Sequence, residues 1–230
     1  MAKHIGIVAC SAPGAALCYG TICADAAGRM GEHNHPEVTM HTHPLATYRA
    51  LFPSGDWDGV AELMLSSTRI VAEAGARFAI CPDNTIHQAF ERVEAESPIP
   101  WLHIARVVAD HARADGHTKV GVLGTRYLMT GPVYAEALPA AGIEQVIPDE
   151  ADRERIDRII FTELVCGLFT DTSRGYFNEV IDRLRDRGAT AVVLGCTEIP
   201  LLVRPEESPL PTLDSTRLLA RAAIDYALAD

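Results

Sequence analysis

Two apolar segments recur in this chain at nearly the same spacing, and that recurrence restricts the folds open to it. His4-Ile5-Gly6-Ile7-Val8-Ala9 is echoed by Lys119-Val120-Gly121-Val122-Leu123-Gly124, with Gly6 and Gly121 offset by 115 residues. Gly75 and Gly188, each leading into a second apolar run, are offset by 113 residues. Two independent matches at almost one period point to two related half-domains. Counting eight residues from each of these glycines reaches a polar turn, Asp83-Asn84-Thr85 in the first half and Cys196-Thr197-Glu198 in the second.

The apolar runs are short, rich in β-branched residues and followed by small polar ones, as buried strands of a parallel sheet are. Val38-Thr39-Met40-His41-Thr42-His43 alternates like a further strand, with His41 and His43 on one face. Between the strands, apolar residues keep helical spacing: Val60, Leu63, Met64, Ile70 and Val71 from Trp57 to Glu73; Ile104, Val107 and Val108; Ile156, Ile159, Ile160, Leu164 and Leu168 over 149–169; Phe177, Val180, Ile181 and Leu184. Alternating strands and helices predict an α/β fold of parallel sheets flanked by helices. The expected organisation is an N-terminal lobe at 1–100, a C-terminal lobe at 101–211, and a terminal helix within 212–230 packing back on the first lobe. Residues 10–14 read as a turn and Pro98-Ile99-Pro100 as a linker.

Composition narrows the partners. A net charge of −11 without a basic run argues against a nucleic-acid surface. No apolar run approaches the ~20 residues of a membrane span. The N-terminus passes almost directly into a strand, leaving no room for a secretion signal. The six cysteines form no CxxC pair, which suits a reduced, cytoplasmic protein. The turn after Ala9 fits neither a Walker loop nor a dinucleotide fingerprint, so nucleotide binding is not supported.

Equivalent strand ends from two like lobes face one another across a cleft, so Asp83 and Cys196 are expected to reach opposite sides of one small substrate. Removing a proton from one face of a carbon and returning one to the other inverts a stereocentre, and needs two acid/base groups with oriented anion binders. Asn84, Thr85 and Thr197, with backbone N–H groups, are the candidate binders.

Gly55-Asp56-Trp57-Asp58, Asn84-Thr85-Ile86-His87, Gly124-Thr125-Arg126-Tyr127, Pro148-Asp149-Glu150-Ala151-Asp152-Arg153 and Gly195-Cys196-Thr197-Glu198-Ile199 carry a resemblance. Together they make the chain similar to the aspartate/glutamate racemase family, in particular its bacterial amino-acid racemase branch. The resemblance implies two pseudo-symmetric flavodoxin-like lobes, a homodimer, and a cofactor-independent reaction with a cysteine from each lobe as base and acid. Cys196 matches the second-lobe cysteine. At the first-lobe position, directly before Asn84-Thr85, stands Asp83. Cys81 lies two residues earlier, roughly 6–7 Å back along the strand.

Ordinary pKa values of about 3.9 for Asp and 8.5 for Cys separate the two by roughly 6 kcal/mol of proton affinity. An ionised Asp83 is therefore a weak base beside a thiolate, while burial and a substrate carboxylate favour its protonated form, a proton or hydrogen-bond donor. Ser11, Arg49, Thr125, Thr130 and Glu198 are further candidate substrate binders, each equally readable as a capping or surface group. Asp83 also reads as a helix cap. His33, His35, His41 and His43 with Asp83 and His87 have the ligand types of a zinc or iron site, although the resembled family needs no metal.

The reading is an isomerase: an amino-acid racemase for an aspartate- or glutamate-like substrate, with an asymmetric Asp83/Cys196 pair and a small carboxylate or amino acid as partner. A one-cysteine decarboxylase or isomerase of a small dicarboxylate, and a non-catalytic binder of small acids, are the alternatives.

Overall fold

A computed structural model of the chain describes residues 2–229. They divide into two compact units, the first running to Val107 and resuming at Thr216, the second spanning Val108–Ser215.

In the first unit, strands β1 (Ile5–Ala9), β2 (Val38–Thr42), β3 (Phe78–Ile80) and β4 (Trp101–Leu102) alternate with helices α1 (Ala12–Met30), α2 (Leu45–Arg49), α3 (Trp57–Glu73) and α4 (Phe90–Glu96). Helix α5 (Ile104–Ala114) contains the division between the units. Strands β5 (Lys119–Leu123), β6 (Glu144–Val146), β7 (Ala191–Leu194) and β8 (Thr212–Asp214) form the second sheet, with α6 (Arg126–Thr130), α7 (Pro132–Ala140), α8 (Glu150–Thr162), α9 (Asp171–Asp186) and α10 (Ile199–Leu202). Helix α11 (Ser215–Leu228) closes the described chain.

Both sheets are four-stranded and wholly parallel, in the orders β2-β1-β3-β4 and β6-β5-β7-β8. The repeat is thus a repeat of topology, each half being α/β with flavodoxin-like strand order. Its glycines have structural reasons. Gly75 and Gly188 stand just past the ends of α3 and α9 at φ 104° and 90°, a left-handed backbone open to glycine without steric cost, and turn each chain into the next strand. Gly6 and Gly121 lie where a helix presses on a sheet: a Cβ would stand 2.7 Å from Val71 of α3 in one case and 3.0 Å from Leu184 of α9 in the other.

Each unit has its own core. Ile5, Ile7, Phe78 and Ile80 pack with Cys18 and Ile22 of α1 and with Leu219, Ala223 and Ile224 of α11. Burying a side chain such as Leu219 or Ile224 contributes about 1.5–3 kcal/mol, and Lys3 N–H adds a bond to the Ala227 carbonyl at 2.8 Å. In the second unit Val192 and Leu194 pack with Ile156, Ile160, Phe177, Val180 and Leu184.

Two local readings are corrected. Residues 12–14, taken as turn, are the first turn of α1, where Pro13 lacks only an N–H that would find no partner within the helix, and Ser11 Oγ caps by accepting from Gly14 N at 3.3 Å. The helix expected to reach Phe169 ends at Thr162. A 3₁₀ turn, Leu164–Cys166, follows it and stops at Gly167, whose φ is 76°. Directly after the expected linker at 98–100, β4 adds to the sheet beside β3.

Candidate active site

In a parallel sheet of this order the chain crosses first to one side of the opening strand and then to the other. The loops part above the two central strands, leaving a crevice at their carboxyl ends. That point falls between β1 and β3 in the first unit and between β5 and β7 in the second. Cys10-Ser11 and Cys81–Thr85 follow β1 and β3, while Thr125 and Cys196–Glu198 follow β5 and β7.

The turn after β3 is firmly held. Asn84, Thr85 and His87 are buried, and Asp83 is partly exposed. The Asp83 carbonyl accepts from His87 Nδ1–H at 2.8 Å and from the Cys81 thiol at 3.8 Å. His87 Nε2 accepts the Ile104 N–H at 3.5 Å, its ring stacks on Phe90 with centroids 5.4 Å apart, and the edge contact with His103 is 4.7 Å. Burial pushes the His87 pKa down to about 4, so the ring is neutral and its tautomer is fixed by the Asp83 bond. Cys81 is fully buried, and burial with the neighbouring Asp83 charge drives its thiol well up. It stays protonated and cannot serve as a base. The 3₁₀ turn Thr85–Ala89 has Asn84 at its N-cap position, without a side-chain capping bond.

His41 of β2 and His43 just beyond its end are engaged with α3. His41 Nδ1 pairs with Ser67 Oγ at 2.9 Å and His43 Nε2 with Ser66 Oγ at 2.7 Å. His33 and His35 are exposed, and among the described residues no group of three His, Cys, Asp or Glu side chains is placed to hold a metal ion. Arg49, at the end of α2, is exposed. Its neighbour Tyr48 is fully buried against His43, with ring centroids 6.4 Å apart. The Tyr48 hydroxyl is enclosed beside the hydroxyl of Ser67, its hydrogen-bonding neighbour. Burial chiefly, then Cys81, Cys10 and Asp83, raise its pKa.

In the second unit Cys196 is partly exposed while Thr197 and Glu198 are buried. The Cys196 thiol donates to Glu198 Oε2 at 3.0 Å and the Thr197 hydroxyl donates to the same oxygen at 2.7 Å. Glu198 therefore holds the turn together by its carboxylate and makes no side-chain cap to α10. Gly195 lets this turn come close: its N–H donates to Leu123 O at 2.7 Å, and a Cβ would sit 2.8 Å from that oxygen and 2.5 Å from Leu128 Cδ2. Thr125 caps α6 by accepting from Leu128 N at 3.2 Å, the counterpart of Ser11 on α1. Thr130 is exposed and donates back to Arg126 O at 2.9 Å. It lines a cavity of about 350 Å³ with Arg126, Tyr127, Glu150, Arg153 and Glu154, which does not include the Cys196 turn.

The first unit's turn carries a carboxylate and the second unit's a thiol hydrogen-bonded to a carboxylate, each a group able to transfer a proton. The Asp/Glu/hydantoin racemase family model matches residues 7–223 of the chain. The chain belongs to that family. An Asp/Glu racemase-like protein from Yersinia pestis is 32% identical with a TM-score of 0.89, the match covering 99% of this chain and 100% of that one. An aspartate racemase homologue from Pyrococcus horikoshii OT3 is 26% identical with a TM-score of 0.85, covering 100% of both chains. The broad specificity amino-acid racemase RacX of Bacillus subtilis (strain 168) is 22% identical over 209 residues, 90% of this chain and 88% of that protein. Family membership makes racemase chemistry the frame for the site. Within it, Tyr48 and the carbonyl clamp of His87 are features the sequence does not advertise: a five-residue helix is too short to show a periodicity, and a buried histidine has no sequence mark of its partner.

Proposed function

We propose that the protein racemises an amino acid, without a cofactor, by removing and returning the α-proton through Asp83 and Cys196. The observation that carries this reading is the equivalence of the two turns, which present Asp83 and Cys196 at the switch points of like sheets. Cys196 acts as base by passing its own proton to Glu198, 3.0 Å away, and as acid by taking it back. Positioned groups of this kind contribute about 10²–10⁴-fold each. Asp83 serves the opposite face, in its protonated form as the donor and ionised as the weaker base. Asn84, Thr85 and Thr197, with Ser11, Arg49 and Thr125, bind the carboxylate. An aspartate- or glutamate-like substrate agrees with the family, and the RacX relative supports a wider choice of side chain.

Proton NMR in D₂O with paired L- and D-amino acids tests this. Wild-type protein is expected to exchange the α-proton and interconvert the enantiomers. Asp83→Ala and Cys196→Ala should each lose racemisation, and full activity in Cys196→Ala would sink the reading. The replacement of a thiol by Asp83 favours a second reading, in which Cys196 alone protonates a carbanion left by decarboxylation. A dicarboxylic acid in the same tubes, losing CO₂ without enantiomer exchange of any amino acid, would establish it instead. We further propose a cytoplasmic homodimer, for which sedimentation gives the mass. No helix among the described residues is long and apolar enough to cross a membrane.

A further inference from the structure

We propose that the outer edge of β2 is the surface on which a second copy of this chain docks, the two β2 strands pairing antiparallel about Met40 so that the first-unit sheets of both copies join. The inference rests on the homodimer of the proposed function and not on its racemase chemistry. β2 is an edge strand, first in the order β2-β1-β3-β4. The Glu37 carbonyl accepts from Ile5 N–H at 2.8 Å. Because backbone groups alternate in direction along a strand, Thr39 and His41 then face β1, while the N–H and C=O of Val38, Met40 and Thr42 point away from it. Such an edge invites another strand unless it is short, charged or blocked by proline. The other edge strands meet those conditions: β4 is the pair Trp101–Leu102 behind Pro100, and β6 and β8 have three residues each, among them Glu144 and Asp214. β2 has five residues with neither charge nor proline, and its Met40 is 47% exposed. Exposed Ile70 stands one turn on from Ser66 and Ser67, on the stripe of α3 that borders the same edge.

This edge is complementary to itself. In the antiparallel register that sets Met40 opposite Met40, Val38 meets Thr42 and Glu37 meets His43 of the second copy. The outward groups of Val38, Met40 and Thr42 then all find partners, since residues two apart form the hydrogen-bonded pairs of such a ladder. Glu37 is a well-exposed carboxylate, and His43, which uses Nε2 on Ser66 Oγ, keeps Nδ1 for it. Pro36 and Pro44 bracket the segment at equal distances from Met40. A slip of two residues in one direction sets Val38 opposite Pro44, and in the other Thr42 opposite Pro36, and in either case a proline without an N–H breaks the ladder. One register is therefore favoured, and because the same patch serves both copies the contact closes at a dimer.

Sedimentation and cross-linking of the full chain test this. The wild type should sediment with the mass of two chains. Met40→Lys, which sets two ammonium groups against each other at the axis, should sediment with the mass of one at the same concentration, its far-ultraviolet circular dichroism unchanged. On oxidation, Met40→Cys should gain a disulfide-linked dimer that the wild type lacks, because opposed Cα atoms of a hydrogen-bonded antiparallel pair lie about 5.5 Å apart, within disulfide reach. Thr42→Cys should gain none, its counterpart lying four residues along, roughly 13 Å away. Wild-type protein with the mass of one chain overturns the homodimer and this interface together. A wild-type dimer whose mass survives Met40→Lys, or equal cross-linking by the two cysteine variants, overturns the β2 interface alone. Should Met40→Lys fail to fold, the cysteine pair decides.

Discussion

His87 Nδ1–H donates to the Asp83 carbonyl at 2.8 Å while Nε2 of the same ring receives the Ile104 N–H at 3.5 Å, so one neutral imidazole ties the carboxylate-bearing turn to the start of α5. The ring works only uncharged: a proton on Nε2 would face a donor, not an acceptor.

This makes stability fall in acid. Unfolded, the histidine titrates near the ordinary value of about 6.5, while in the folded protein burial holds it at about 4. Between these values the unfolded chain binds a proton that the folded one does not. The contribution is therefore fully present above about pH 6.5 and is lost progressively as pH falls towards 4, by about 3 kcal/mol in all. His103, pushed down to about 2 by burial first and His87 second, acts in the same direction. Urea unfolding between pH 4.5 and 7.5 should show a declining midpoint in the wild type and a shallower decline in His87→Gln; parallel curves would contradict it.

Glu198 is expected to keep the Cys196 thiol protonated at rest, since its carboxylate accepts the S–H bond. Glu198→Gln removes the negative acceptor while preserving shape. Alkylation of Cys196 by iodoacetamide near neutral pH should quicken, whereas catalysis, deprived of the group that takes the thiol proton, should slow by roughly 10²-fold. Mass spectrometry of the labelled peptide, followed over time, reads the first effect. Unchanged labelling together with unchanged turnover would remove Glu198 from this role.

A methyl group at Gly195 has no space, because the obstacle is in part the Leu123 carbonyl at 2.8 Å and not merely the movable Leu128 side chain. Gly195→Ala should destabilise the protein by about 1–3 kcal/mol and displace Cys196 with it. Gly20→Ala serves as the control, since a Cβ there meets nothing within 4 Å. The two variants should differ clearly in thermal unfolding.

The central strands and the turns after them were legible because their apolar runs occur twice in the chain at nearly one spacing. Three of the four edge strands were not: Trp101–Leu102, Glu144–Val146 and Thr212–Asp214 have two or three residues each and no repeated apolar run to mark them. The start of α1 was hidden by Pro13 and Gly14, residues that usually break helices but are tolerated in a first turn. His87 could be picked out by its place after Asn84-Thr85. Its bond to the Ile104 N–H joins it to the start of a separate helix, which spacing cannot convey.

Helix α11 completes the core under β1 and β3 with Leu219, Ala223 and Ile224. During synthesis, the half that emerges first must therefore wait with an apolar face uncovered until residues 219–227 have cleared the ribosome. The second half, continuous in sequence, can fold meanwhile. Truncation before Thr216 should accordingly leave the later-made unit folded and the earlier-made one prone to aggregate.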